Sequence, residues 1–117
     1  KAGNLLFLSG IGPREAGTNA IPGNKYDANG KLIAYDISAQ CHSVFKNIKA
    51  VLEASGSCWD KLIDVTVFLT NMNADFPVYN KLYAEYFRDN QPCRTTVEIK
   101  SLPTPIAIEL KCIALVD

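Results

Sequence analysis

The sequence has only one histidine and four widely spaced cysteines among its 117 residues. Cys41, Cys58, Cys93 and Cys112 include no C-x-x-C pair, and no cysteine, serine or second histidine is spaced to act as a partner of His42. The ligand set of a zinc site and the Cys–His pair of a thiol hydrolase are therefore missing. We expect no metal and no cofactor, an exposed His42, and Cys41 and Cys112 as small core residues in a reducing compartment.

The sequence also has no excess of charge of either sign and no long apolar run. Twelve basic residues balance twelve acidic ones, so no general attraction to nucleic acid or to an anionic membrane is expected. No apolar run approaches the roughly 20 residues needed to cross a bilayer, and no signal peptide is present. These absences predict a cytoplasmic location. Because the sequence opens abruptly just before a strand, we expect residues upstream of Lys1, with an N-terminal strand among them.

Length and composition predict one domain over residues 1–117, with 48% hydrophobic and 21% charged residues. Apolar periodicity predicts the following elements in order: strand 5–9, an irregular loop or hairpin over 14–31 with a turn at Asn29-Gly30, edge strand 31–35, helix 37–55, strand 62–70, helix 75–88, and strands 93–100 and 106–116. This order is typical of an α+β sandwich with a mixed sheet and both helices on one face.

Capping residues and alternation refine three of these elements. Asp36 is the expected N-cap of the first helix and Gly56 its stop, while Asp75 is expected to start the second helix. Pro77 would then lie in the first turn of that helix. Alternation over 62–70 places Ile63 on the core-facing side of a central strand together with three further apolar residues, Val65, Val67 and Leu69.

The last two strands are predicted to form a hairpin through the proline-containing connection 102–105. Alternation along each strand then places Arg94 and Glu109 on the face turned away from the core. Two interpretations are open. The pair is either a solvated charge pair of little energetic weight, or a guanidinium that clamps a substrate carboxylate beside an acid that activates water.

The same face is too apolar to be left entirely to water. It is expected to carry Phe68, Ile113 and Leu115 beside the charged pair. Packing against copies of itself would bury these side chains, so the sequence predicts a homo-oligomer whose sheets meet face to face.

Five motifs, in order over nearly the whole chain, resemble the RidA/YjgF family: FLSGIGP at 7–13, VLEASG at 51–56, DVTVFLTNMN at 64–73, YNKLYAEYF at 79–87 and PCRTTVE at 92–98. The resemblance implies a chorismate-mutase-like protomer and a homotrimer whose sheets line a central barrel, with sites at the subunit interfaces. It also implies an enamine/imine deaminase that converts substrates such as 2-aminoacrylate to 2-keto acids and ammonia.

The resemblance assigns roles to five residues. Arg94 matches the arginine that binds the substrate carboxylate, and Glu109 matches the acid that positions water at the imine carbon. Gly10 and Asn80 match residues that line the cleft, and Thr96 stands where many members have a cysteine. The expected ligand is a small imine, enamine or keto acid that carries a carboxylate. Such substrates are already electrophilic, so orientation, a carboxylate anchor and a positioned water are sufficient.

Three alternatives remain open at this point. The long segment 14–31 and the Arg-Thr-Thr-Val form also occur in relatives similar to 2-aminomuconate deaminase. Some family members are described as endoribonucleases, although no histidine pair or carboxylate cluster supports that chemistry here. A protein that binds keto acids without turning them over would use the same residues.

Overall fold

The computed structural model describes residues 1–117 as a four-stranded mixed sheet with two helices on one face and a separate two-stranded hairpin. The helices and strands, in chain order, are β1 (Leu5–Phe7), β2 (Lys25–Tyr26), β3 (Leu32–Ala34), α1 (Ile37–Ala54), β4 (Leu62–Leu69), α2 (Met72–Tyr86), β5 (Cys93–Glu98) and β6 (Ile108–Leu115). The predicted α+β class is confirmed. Neither helix has the length and apolar character needed to span a membrane.

Helix α1 has the boundaries that its sequence predicts. The side chain of Asp36 accepts hydrogen bonds from the backbone N–H groups of Ser38 and Ala39, which are free at a helix start. After Ala54 the chain leaves the helix, and Gly56 has φ +81°, a conformation that glycine adopts without steric cost. The apolar stripe of α1 is buried against the sheet, so capping and periodicity agree about this element.

Helix α2 begins three residues earlier than predicted. Asn71 is the N-cap, because its side chain accepts a hydrogen bond from the Ala74 N–H, and Pro77 therefore lies inside the helix instead of in its first turn. Asp75 has a different role: it is 4% exposed, and the Tyr35 hydroxyl donates to its Oδ2 at 2.7 Å. Burial raises the pKa of Asp75.

The sheet order corrects the predicted C-terminal hairpin. The four strands lie in the order β1-β6-β4-β5, so β4 separates β5 from β6. Strand β4 pairs in parallel with β5 and antiparallel with β6. The physical reason is that α2 provides a crossover that returns the chain parallel to β4. Strand β5 then lies at the sheet edge, and the segment that follows it crosses β4 before β6 begins.

The register also corrects the face assigned to Ile63. A shift between Leu62 and Asp64 interrupts the pairing of β4 with β6, and Ile63 is 37% exposed. A bulge of this kind moves one side chain out of the alternation. Beyond the bulge, Val65 and Val67 are completely buried, as predicted.

The core fills the space between the helices and the sheet with 19 buried residues. Cys41 and Cys112 are among them, at 0% and 1% exposure, as predicted, whereas Cys58 and Cys93 are exposed free thiols. The buried amide of Gln40 links this core to the β2–β3 hairpin and to the chain before β6. Its Nε2 donates to Asn24 Oδ1 and its Oε1 accepts from the Ala107 N–H, each at 2.8 Å.

The other face of the sheet carries no helix. Apolar side chains project from all four strands on this open face: Leu5, Phe7, Phe68, Val97, Ile113 and Leu115. Phe7 is 50% exposed and Leu115 is 39% exposed. The apolar character predicted for this face is therefore present, and the face-to-face homo-oligomer stays a prediction.

Candidate active site

Arg94 lies on the helix side of β5, where α2 supplies its neutral partners. Its Nη1 donates to Asn80 Oδ1 at 2.9 Å and to the Tyr79 hydroxyl at 3.4 Å. The guanidinium carbon lies 4.7 Å from the centroid of the Tyr83 ring, within the range of a cation–π contact. The one ion pair in the chain joins Lys61 and Asp117. The Arg94 guanidinium is thus held without a carboxylate that would neutralise it.

Helix spacing explains why three α2 residues meet at Arg94. Tyr79 and Tyr83 are four residues apart and share the face that packs on the sheet, and Asn80 lies beside them. The Tyr83 hydroxyl is buried without a hydrogen-bond partner. Burial raises the pKa of Tyr79 and of Tyr83, so both phenols stay protonated over the physiological range.

Thr96 follows Arg94 on the same face of β5. Its Oγ1 lies 3.3 Å from the Tyr79 hydroxyl. The structure therefore brings Arg94, Asn80 and Thr96 together around one phenol. A shallow cleft of about 270 Å³ adjoins them, and its lining includes Asn80, Tyr83 and Arg94.

Glu109 and Gly10 form a second group on the open face. Glu109 pairs with Phe68 across β6 and β4, and the backbone N–H of Ile11 donates to the Leu110 carbonyl at 2.7 Å, which fixes the segment that carries Gly10. A Cβ on Gly10 would lie 2.8 Å from Glu109 Oε2. A side chain at this position would therefore displace the Glu109 carboxylate.

The prediction that Arg94 and Glu109 share one face is wrong for a single chain. Arg94 is opposite Val65, and Val65 is opposite Cys112, so these three side chains point towards the helices. Glu109 is opposite Phe68 and points the other way. The error has a physical origin: β5 turns its polar residues towards the hydroxyl and amide groups of α2 and places Val97 on the open face. One chain therefore carries two separate groups, the Arg94 group and the Glu109 group.

Comparison with known proteins identifies the family. The family model described as Endoribonuclease L-PSP matches residues 1–116. The chain belongs to this family, which is the RidA/YjgF family of the sequence analysis.

Individual relatives cover almost the whole chain. A RutC family protein of Pyrococcus horikoshii is 41% identical over 114 residues, which are 97% of this chain and 81% of the relative. The chloroplastic Reactive Intermediate Deaminase A of Arabidopsis thaliana is 35% identical over 97% of this chain and 54% of its own length. The crystal structure of E. coli TdcF with bound serine superposes with a TM-score of 0.83 at 28% identity, and the match covers 100% of this chain and 84% of TdcF. Because one of these relatives is chloroplastic, the cytoplasmic location stays a prediction.

In this RidA/YjgF member, the contacts of Tyr79 and Tyr83 with Arg94 were not predicted from the sequence. The one signal for them is the Asn80 amide, which lies among the aromatic residues of α2. The largest cleft, about 600 Å³, lies elsewhere, beside α1, and its lining includes Phe45, Trp59 and Tyr86. No predicted site residue lines it.

Two further features lie outside both groups. His42 is exposed, as predicted, and its Nδ1 is 2.6 Å from the Tyr86 hydroxyl. No group of three or more His, Cys, Asp or Glu side chains comes together in an arrangement that could hold a metal ion.

Proposed function

We propose that the chain hydrolyses reactive imines and enamines that carry a carboxylate, such as 2-aminoacrylate, to 2-keto acids and ammonia. The observation that carries this proposal is the Arg94 guanidinium, which is exposed, fixed by Asn80 and Tyr79, and not paired with any carboxylate of its own chain. A cation held by neutral acceptors keeps its full charge for an external anion. The name of the Arabidopsis relative and the serine bound to TdcF, a small carboxylate ligand, support the same substrate class.

The reaction needs an anchor, a water molecule and a proton carrier. Arg94 binds the carboxylate and so orients the neighbouring imine carbon. Glu109 accepts a proton from water as the oxygen bonds to that carbon, and it returns a proton to the nitrogen. Glu109 then takes the hydroxyl proton of the carbinolamine and passes it to the amino nitrogen, so that the carbon–nitrogen bond breaks, ammonia leaves and the carbonyl of the keto acid forms.

Because the two groups lie on opposite faces of the sheet, we further propose that a neighbouring copy completes the site in a homotrimer. Two features support this arrangement. The open face that carries Glu109 is apolar enough to favour burial against another protomer. Strand β5 lies at the sheet edge, so Arg94 is close to a boundary of the chain that a neighbour can approach. The Arg94 group of one protomer then faces the Glu109 group of the next.

The test couples a threonine dehydratase to the purified protein and follows keto-acid release. Replacing Arg94 by Ala removes the carboxylate anchor, and loss of a charge-assisted bidentate contact of about 3 kcal/mol lowers kcat/KM by about a hundredfold. Arg88→Ala is the matched control, since Arg88 is an exposed arginine just beyond α2 that forms no ion pair. Release that is no faster with the wild-type protein than with Arg94→Ala would refute the proposal.

The alternatives give different results in parallel assays. Faster turnover of 2-aminomuconate than of 2-aminoacrylate would identify a deaminase of that ring-cleavage product. Calorimetric binding of 2-oxobutanoate without imine hydrolysis would identify a keto-acid-binding protein. Because the family model is described as an endoribonuclease, RNA is also tested in this series. RNA cleavage that is lost in both Arg94→Ala and Glu109→Ala would identify a ribonuclease.

A further inference from the structure

The hydrogen bonds of Arg94 are unevenly distributed over its guanidinium. Both bonds that this side chain makes within the chain come from Nη1, one to Asn80 Oδ1 and one to the Tyr79 hydroxyl. Nη1 has two N–H groups, and two acceptors are provided for them. The N–H groups of Nε and Nη2 lie on the other edge of the guanidinium and make no bond within the chain.

We propose that Tyr79 is a positioning residue that, together with Asn80, holds Nη1 so that Arg94 presents its Nε–Nη2 edge to the substrate carboxylate. This inference rests on the proposed function and adds the geometry of substrate binding to it. Two parallel N–H groups on one edge match the two oxygens of a planar carboxylate. An ester or an amide offers no such pair of equivalent anionic oxygens. This edge of Arg94 therefore selects the free carboxylate of the proposed substrates over the corresponding esters and amides.

Tyr79 is suited to this role because it cannot move away from Arg94. Its side chain is 0% exposed and packs against the rings of Phe76 and Tyr83. Its hydroxyl lies between Arg94 Nη1 and Thr96 Oγ1, at 3.4 and 3.3 Å. A phenol fixed at both its ring and its oxygen supplies an acceptor that needs no reorganisation when the ligand binds.

The chemistry of arginine fixes the direction of one hydrogen bond at Tyr79. A guanidinium only donates, so the Tyr79 oxygen accepts from Arg94. Either hydroxyl can donate in the contact between Tyr79 and Thr96, and when Tyr79 donates, the Thr96 hydroxyl proton is available for a further acceptor. In this member, where threonine stands at the cysteine position, Tyr79 thus orders both Arg94 and Thr96 for an anionic ligand.

The test is a double-mutant cycle on ligand binding. Calorimetry measures 2-oxobutanoate binding to the wild-type protein, Tyr79→Phe, Arg94→Lys and the double variant. Loss of one hydrogen bond to a charged group raises Kd by about tenfold in Tyr79→Phe. In the Arg94→Lys background the planar fork is already absent, so Tyr79→Phe changes Kd by less than about twofold. In the turnover assay, KM rises with Kd while kcat stays within about twofold, because the bond acts on binding.

Tyr86→Phe is the matched control. It removes a hydroxyl from the same helix, but this hydroxyl bonds to His42 and makes no contact with Arg94. We expect Kd to be unchanged in Tyr86→Phe, and urea denaturation measures the stability of every variant. The inference is overturned if Tyr79→Phe binds 2-oxobutanoate with the Kd of the wild-type protein. It is also overturned if Tyr79→Phe raises Kd by the same factor in the wild-type and in the Arg94→Lys background.

The two proposals fail in different ways. If the wild-type protein binds 2-oxobutanoate but hydrolyses no imine, the proposed function fails while the binding cycle still tests Tyr79. If hydrolysis is intact and Tyr79→Phe has no effect, only the positioning role fails. If the wild-type protein neither hydrolyses the imine nor binds the keto acid, both are overturned.

Discussion

Arg94 and Glu109 are charged side chains without an ion-pair partner in their own chain. Each is instead fitted to neutral surroundings, Arg94 by Asn80 and two phenols, and Glu109 by the missing side chain of Gly10. Hydrogen bonds from Nη1 hold Arg94, and the Glu109 carboxylate lies in the space that a side chain at Gly10 would fill. At the scale of single residues, these surroundings distinguish the two groups from ordinary surface charges, which are commonly solvated.

Gly10 gives a prediction at this scale. In Gly10→Ala the new methyl group would lie 2.8 Å from Glu109 Oε2, so the carboxylate must rotate away. Gly10 does not have a positive φ, so alanine fits the backbone without strain. We expect kcat to fall by about tenfold or more while the free energy of unfolding changes by less than about 1 kcal/mol. Steady-state kinetics and urea denaturation measure the two quantities. An unchanged kcat would contradict the proposed role of Glu109.

At the scale of elements, the sequence predicts what depends on local chemistry. The apolar period and the caps of α1 predict its bounds within one residue, because Asp36 marks the start of the helix and Gly56 marks its end. Alternation predicts which residues of β6 are buried. It does not predict which strand lies beside β5, because that depends on the α2 crossover. The predicted face of Arg94 was therefore wrong. The family resemblance placed Asn80 near the site, but the hydrogen bond between Asn80 and Arg94 was not predicted.

The packing of α1 against β6 gives a prediction about pH. Burial raises the pKa of the thiols of Cys41 and Cys112 from 9.0 to about 12. Above pH 9 the unfolded chain loses these protons and the folded chain keeps them. The unfolded state then binds fewer protons, so stability falls as pH rises from about 9 to about 12, by up to about 1.4 kcal/mol per pH unit for each thiol.

Urea denaturation between pH 8 and 10, under reducing conditions, measures this slope before most tyrosines ionise in the unfolded chain. The variant with Cys41→Ala and Cys112→Ala is less stable at pH 8, because two buried side chains are shortened. Its stability nevertheless declines less steeply with pH than that of the wild-type protein. Equal slopes would contradict the assignment to the buried thiols. Cys58→Ala is the control, since Cys58 is exposed and its removal leaves the slope unchanged.

At the scale of the whole molecule, the sheet separates two groups that the proposed reaction needs together. Arg94 is on the covered face, and Glu109 is on the open face among exposed apolar side chains such as Phe7 and Leu115. In the proposed homotrimer, the packing of a second copy would both bury that face and complete the site. The proposal thus offers one explanation for the apolar face and for the separation of the two groups.

Subunit mixing tests this explanation directly. Arg94→Ala and Glu109→Gln are each expected to be inactive as pure oligomers. If each site combines Arg94 of one protomer with Glu109 of its neighbour, an equal mixture of the two, unfolded and refolded together, regains activity. Random assembly into trimers leaves one intact site in each mixed trimer, and about a quarter of wild-type activity is expected overall.

The control refolds each variant alone, and size-exclusion chromatography with light scattering gives the mass of every sample. A mixture that stays as inactive as its components would contradict a site shared between protomers, because a site within one chain cannot be restored by exchanging subunits. Recovery in the mixture, with none in either variant alone, has no other source than a pocket to which one protomer contributes the guanidinium and another the carboxylate.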